Sequence, residues 1–132
     1  MTWPAPDGDG PLILIVDDHE TNRKLARDVL RAAGLRTIEA ASGAEAIKLA
    51  ARQLPDVILM DLRLPDMSGA DVARRLADEP RTAGIPVVAV SSLPFGGDDW
   101  TRAAGFAGYL EKPLSVREFP DQVRRYCGAD AA

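Results

Sequence analysis

Apolar residues along this chain fall into two alternating patterns. Leu12-Ile-Leu-Ile-Val16, Val57-Ile-Leu-Met60 and Pro86-Val-Val-Ala-Val90 are runs with no polar interruption. A strand with no polar face needs cover on both sides, so these runs predict interior strands of a parallel sheet. Arg36-Thr-Ile-Glu-Ala40 is short and half polar, as an edge strand is. Gly108-Tyr-Leu-Glu-Lys112, ahead of Pro113, reads as a fifth strand.

Between these runs the apolar period changes to about 3.6 residues. A first helix begins at Glu20, sets Leu25, Ala26, Val29, Leu30 and Ala33 on one face, and stops at Gly34. Ser42-Gly43 opens a second through Ala46, Ile47, Ala50 and Leu54, closed by Pro55. Ser68 caps a third that carries Val72, Ala73, Leu76 and Ala77 and ends at Pro80. The segment Leu93-Pro-Phe-Gly-Gly-Asp-Asp-Trp100 is irregular, and its adjacent glycines and Pro94 leave room for only a short fourth helix, roughly residues 98–104. Ser115-Val-Arg-Glu118 has capping-box spacing, with Leu114 and Phe119 as a hydrophobic staple and Val123 and Tyr126 continuing the buried face. Pro120 conflicts with a helix starting there, because its ring would oppose the carbonyl of Val116; the first turn must distort or the helix must begin later.

Five strands alternating with five helices predict an α/β fold with a doubly wound, five-stranded parallel sheet, right-handed crossovers and helices on both faces. The expected organisation is one domain over residues 12–127, with a disordered N-terminal tail over 1–11 and a C-terminal tail over 128–132. At 132 residues the chain is long enough for one such core and short for two. After Pro113 only one helix and a tail remain, so no DNA-binding or enzymatic output domain is expected.

Charge narrows the function classes. A formal net charge of -4 argues against binding a phosphate backbone, which needs clustered Lys and Arg. No apolar run is long enough to cross a bilayer, and residues 1–11 lack a charged-then-apolar leader, so a cytoplasmic protein is expected. The single cysteine, Cys127, excludes an internal disulfide and reads as a small, partly buried residue of the last helix.

The chemistry gathers at the strand ends. Open α/β sheets place ligands at the carboxyl ends of their strands. Strand one delivers Asp17 and Asp18 there, strand three Asp61, strand four Ser91 and strand five Lys112. Three clustered carboxylates repel one another unless a cation neutralises them, and all-oxygen donors suit a hard divalent ion such as Mg²⁺. Three aspartates, one lysine and one Mg²⁺ sum to zero charge, a balance that suits a phosphoryl group. A carboxylate can attack phosphorus, and a metal, Lys112 and the Ser91 hydroxyl could meet the charge on its oxygens. Each residue alone has a plainer reading: an acidic pair after a strand is commonly a solvated turn, and His19, the only histidine, reads as a solvent-facing residue at a helix start rather than a ligand.

Ile13-Leu-Ile-Val-Asp17-Asp18, Val57-Ile-Leu-Met-Asp61-Leu-Arg-Leu-Pro65 with Gly69, Val87-Val-Ala-Val-Ser91 and Tyr109-Leu-Glu-Lys112-Pro113 together resemble the receiver domain of two-component response regulators. The resemblance runs from about Leu12 to Cys127. Through Asp17-Asp-His-Glu-Thr-Asn-Arg-Lys-Leu25 and Ile85-Pro-Val-Val-Ala-Val90 it is similar to the single-domain receivers of the DivK kind. It implies strand order 2-1-3-4-5. It implies Asp61 as phosphoacceptor, Asp18 and Asp61 as direct Mg²⁺ ligands, Asp17 holding metal-bound water, and the backbone carbonyl of Arg63 completing the protein ligands. Ser91 would be the switch hydroxyl, Tyr109 the aromatic that turns inward with it, Lys112 the phosphoryl-contacting lysine and Pro113 a cis-proline. The sequence departs from the usual family pattern at Arg63, two residues past the acceptor, at Pro94 and Gly96-Gly97, and at Pro120.

The function implied is a receiver that takes a phosphoryl group from a sensor histidine kinase or a histidine phosphotransfer protein and signals by docking a downstream protein or by passing the phosphate on. Helix one around Asn22 and Leu25 would dock the kinase. Such a protein catalyses only its own phosphoryl transfer and dephosphorylation. It would act as a monomer or weak dimer, with neither nucleic acid nor membrane as partner. Two other classes compete: a phosphorylation-independent scaffold, against which the complete set of site residues argues, and a phosphatase with an aspartyl-phosphate intermediate, which needs a second acid near Asp61 where Arg63 stands. Flavin binding would need a phosphate loop where Asp17-Asp18-His19-Glu20 is repulsive.

Overall fold

The computed structural model describes residues 10–91, 105–112 and 114–127. Five strands, β1 (Leu12–Val16), β2 (Arg36–Ala40), β3 (Val57–Asp61), β4 (Val87–Ser91) and β5 (Gly108–Glu111), form one parallel sheet in the order β2-β1-β3-β4-β5. The three uninterrupted apolar runs are its three central strands, and the half-polar run is an edge, as expected. β1, β3 and β4 are buried at every position.

Among the described residues there are four helices: α1 (Glu20–Ala32), α2 (Gly43–Gln53), α3 (Gly69–Asp78) and α4 (Phe119–Tyr126). The helix expected over 98–104 lies outside the described residues, as do residues 1–9 of the N-terminal tail expected over 1–11 and the C-terminal tail over 128–132. Gly10 and Pro11 run beside β2, with the Gly10 carbonyl accepting from Arg36 Nε at 2.8 Å and the Pro11 carbonyl accepting from Arg36 N at 2.9 Å.

Alternation along the strands divides the core. Ile13, Ile15, Val57, Leu59, Val88, Val90 and Leu110 face α1 and α4. Leu14, Val16, Ile58, Met60, Val87 and Ala89 face α2 and α3. The period of two continues past the apolar runs, so Asp17 and Asp61 take the parity of the first face and Ser91 takes that of the second, with Tyr109.

The helix starts follow their sequence signals. The Ser42 hydroxyl accepts from Glu45 N at 3.2 Å while Glu45 Oε1 accepts from Ala41 N at 2.8 Å, and the Ser68 hydroxyl accepts from Asp71 N at 3.1 Å. Ser115 Oγ also accepts from Glu118 N at 3.2 Å, but around an isolated turn; the helix itself begins at Phe119. Pro120 thereby falls in the first helical turn, where no N–H has an intrahelical partner to lose.

Three positions assigned to buried helix faces differ. Leu25 is 50% exposed and Leu54 48% exposed, and Ala77 is exposed too. α1 buries fully only Ala26 and Leu30, with Val29 packed partly beneath them, a narrower stripe than the spacing implied. Leu54 follows the last helical residue in the left-handed region, φ 49°, which turns its side chain away from the α2 face.

Candidate functional site

The carboxyl edge of the sheet brings the acids together. One carboxylate oxygen each from Asp17, Asp18 and Asp61 and a ring nitrogen of His19 lie within 4.8 Å of one another. Asp17 and Asp61 are buried, whereas Asp18 and His19 face solvent. Lys112 reaches in from the end of β5: its Nζ lies 3.1 Å from Asp17 Oδ2 and 3.8 Å from Asp61 Oδ2. The Lys112 side chain is only 23% exposed, so water screens these two pairs less than it would on an open surface. His19 does not stand apart. Its Nδ1 is 3.1 Å from Asp18 Oδ1 and 3.4 Å from Asp17 Oδ1, so the solvent-facing reading is right for its exposure and misses its proximity to the acids.

Backbone geometry aims the two buried acids. Asp17 Oδ1 accepts from His19 N at 2.9 Å, and Asp61 Oδ1 accepts from Arg63 N at 3.2 Å. The second bond presses the loop after β3 against the Asp61 carboxylate. That loop continues through a bridge between Arg63 and Ser68 and returns to Gly69, whose N–H donates to the Leu62 carbonyl at 3.1 Å. A Cβ at Gly69 would stand 2.7 Å from the Asp61 carbonyl oxygen, so only glycine lets α3 start this close to the acid. The Arg63 side chain points to solvent.

Asp61 carries the perturbed charge. Burial raises its pKa above the ordinary 3.8, and neighbouring Asp17 and Asp18 push in the same direction; the Arg63 N–H and Lys112 oppose them. A carboxyl so placed gains from any added positive charge.

Ser91 is buried at the end of β4, and its backbone carbonyl accepts from Lys112 N at 2.8 Å and from the Tyr109 hydroxyl at 3.4 Å. Tyr109 is half-buried against the α2–α3 side of the core, and burial and Glu111 raise its pKa. Pro113 lies outside the described residues. Beside the acids a cavity of about 400 Å³ opens between α1 and the segment before α4; Ile15, Leu59, Val90 and Phe119 form its apolar wall, with Asp61 and Lys112 at its rim. Asn22 and Leu25, the two residues singled out on helix one, also line it.

Two contributors escaped the sequence reading. Asp66 Oδ1 accepts from Gly43 N at 2.8 Å and Oδ2 from Ala44 N at 2.9 Å, so the loop that carries Arg63 is clamped to the N-terminus of α2. Those two bonds hold the Asp66 pKa below its ordinary value. Arg23 donates from Nη1 to the Asp17 carbonyl at 2.7 Å. Neither pairing has a local signal: Asp66 meets backbone more than twenty residues away, and Arg23, though only six residues past Asp17, reaches back across the β1–α1 turn, a contact that helical spacing does not encode.

A family model for the response regulator receiver domain matches residues 13–124. The polar-differentiation response regulator DivK of Brucella ovis is 42% identical over 117 residues, 88% of this chain and 95% of that protein. Among solved structures, the receiver domain of a sensor histidine kinase from Pseudomonas aeruginosa PAO1, with a magnesium ion coordinated in its active-site cleft, is 32% identical, covers 91% of this chain and 99% of that one, and superposes with a TM-score of 0.82. A chemotaxis response regulator of Vibrio cholerae shares the fold at a TM-score of 0.83 and 24% identity, covering 89% and 99%. The chain belongs to the response regulator receiver family, the signalling modules that its strand-end motifs resemble. None of its described helices is long and apolar enough to cross a membrane.

Proposed function

We propose that this protein is a phosphorylation-operated signalling receiver, with its working unit at residues 12–127, that accepts a phosphoryl group on Asp61 from a histidine kinase or histidine phosphotransfer protein in a Mg²⁺-dependent reaction. The observation that carries this reading is the meeting of two buried carboxylates and one lysine at the sheet edge: Lys112 Nζ 3.1 Å from Asp17 and 3.8 Å from Asp61.

The donor set fits a hard divalent ion: carboxylate oxygens of three aspartates converge within 4.8 Å, with the Arg63 carbonyl on the adjoining loop. Asp18 and Asp61 would bind it directly and Asp17 through water, and the magnesium in the Pseudomonas receiver's cleft supports the assignment. Bound there, the ion would supply positive charge against the phosphoryl oxygens.

The remaining steps belong to this chain's own groups. An Asp61 carboxylate oxygen attacks phosphorus, the phosphorus–nitrogen bond to the donor imidazole breaks, and the imidazole leaves with the bonding electron pair and takes a proton. Lys112 needs little movement to reach an oxygen on a phosphorylated Asp61. The transfer replaces one negative charge by two. Ser91 and Lys112 meet the new charge, and Tyr109, hydrogen-bonded to the Ser91 backbone, carries the change to the surface at the β5 edge of the sheet. Output then comes from a downstream protein docking that surface or from onward transfer, in the cytoplasm and with the protein as monomer or weak dimer. Beside the cavity, exposed Leu25 gives the phosphodonor an apolar contact and exposed Asn22 a hydrogen-bonding one, both next to Asp61.

Incubation with acetyl phosphate and Mg²⁺ tests the reading by intact mass. Wild type should gain about 80 Da, one transferred phosphoryl group, and Asp61→Asn should not. A wild type without the adduct would sink the proposal.

A further inference from the structure

The edge strand β2 contributes no side chain to the acidic site, yet it holds the backbone on which two of the acids sit. Asp17 N donates to the Ala40 carbonyl at 3.1 Å, which extends the β1–β2 ladder to the first acid. The other side of that residue is held by Arg23. From α1, its Nη1 donates to the Asp17 carbonyl at 2.7 Å and its Nε donates to Glu39 Oε1, in β2, at 3.2 Å. The Arg23 and Glu39 side chains are 17% and 24% exposed, so the pair is mostly withdrawn from water. The remaining Glu39 oxygen accepts from Arg27 Nη1 at 3.0 Å.

The carbonyl that Arg23 holds belongs to the peptide group joining Asp17 to Asp18. That group is planar, so fixing its oxygen fixes the plane from which the Asp18 Cα departs. It thereby restricts the separations open to the two neighbouring carboxylates. A planar fork is suited to this task because two of its N–H groups bond in fixed relative directions, one to Glu39 and one to Asp17.

We propose that Arg23, braced by Glu39, is a positioning residue that sets the bite of the Asp17–Asp18 pair and so the divalent-ion affinity of the site. This rests on the reading of the acids as a metal site. Partners that orient a metal ligand without touching the ion typically change affinity 10- to 100-fold when removed. Here the ligand is oriented through its backbone. Arg27 provides the internal control: it ties α1 to the same Glu39 but does not touch Asp17.

The test is direct binding of Mn²⁺ alone to the full chain, followed by the electron paramagnetic resonance signal of the free ion. Arg23→Ala should weaken binding about 10-fold or more, Arg23→Lys should fall between it and wild type, and Arg27→Ala should bind as wild type does. Equal affinity for Arg23→Ala and wild type overturns the proposal, and so does an Arg27→Ala as weak as Arg23→Ala, which would mean that any α1–β2 tie matters. If Arg23→Ala does not fold, an Arg23→Lys with wild-type affinity overturns it instead. A wild type with no saturable Mn²⁺ binding overturns the metal reading, and this inference with it.

Discussion

Replacing Asp61 by asparagine should make the metal-free protein more stable at neutral pH, although it removes the proposed functional group. Lys112 Nζ stands 3.8 Å from Asp61 Oδ2, an attraction of about 4 kcal/mol at an effective dielectric constant near 20. Oxygens of Asp17 and Asp18 lie within 4.8 Å of Asp61, so each repels it by roughly 3 kcal/mol or more on the same footing. Repulsion exceeds attraction by about 2 kcal/mol. Asp18 is 34% exposed, which screens its share and leaves about 1–2 kcal/mol. Withdrawal of the carboxylate from water, the largest cause of its raised pKa, adds to the same side.

Asparagine can still accept from Arg63 N. The melting temperature in EDTA at pH 7 should therefore rise by roughly 3–8 °C. The sign of the pH dependence follows from the raised pKa. A carboxyl whose pKa is higher folded than unfolded costs stability above its folded pKa, and the cost vanishes below its ordinary 3.8. The advantage of Asp61→Asn should accordingly close as the pH falls toward 4. Excess Mg²⁺ should raise the melting temperature of wild type and leave Asp61→Asn nearly unmoved. An Asp61→Asn protein that melts below wild type in EDTA at pH 7, or a difference that persists at low pH, would refute the charge balance assigned to the site.

Other perturbations separate charge from packing. Lys112→Met leaves Asp17 and Asp61 without their shared cation, so it should lower the melting temperature at pH 7, with the part of the loss that belongs to Asp61, whose pKa is raised, shrinking on acidification. Gly69→Ala forces a Cβ to within 2.7 Å of the Asp61 carbonyl oxygen; overpacking of this kind costs about 1–3 kcal/mol, and the acceptor loop should move, read as chemical-shift changes at Asp61 and Arg63 amides. Phe119, 1% exposed under the α1–α4 face, should cost about 3–5 kcal/mol on replacement by alanine in urea unfolding, with no dependence on pH between 5 and 8.

Strand-level signals made most of the fold legible, because an uninterrupted apolar run such as Val57–Met60 has few places to go except between two helical layers. The same runs placed the acids, since each ends abruptly in the residue that the sheet edge then presents. Local chemistry also fixed the starts of α2 and α3 at Ser42 and Ser68. Pro120 is informative as a contradiction: its ring, set against the Val116 carbonyl, demands either a distorted first turn or a later helix start, and the helix begins at Phe119. Helical period alone did not show how wide a stripe is covered, so Leu25 looked like core and is half exposed beside a cavity. Arg23 and Asp66 were illegible for a different reason. An arginine on a helix and an aspartate in a loop are ordinary surface residues until tertiary structure sets a carbonyl or two free N–H groups against them.

The proposed function requires a covalent change at Asp61. After treatment with acetyl phosphate and Mg²⁺, borohydride reduces an aspartyl phosphate to homoserine, and peptide mass mapping locates the reduced residue. Homoserine at position 61, absent without acetyl phosphate and absent when Mg²⁺ is chelated, is the predicted result. Homoserine at position 17 or 18 instead, or at no aspartate, would contradict the account.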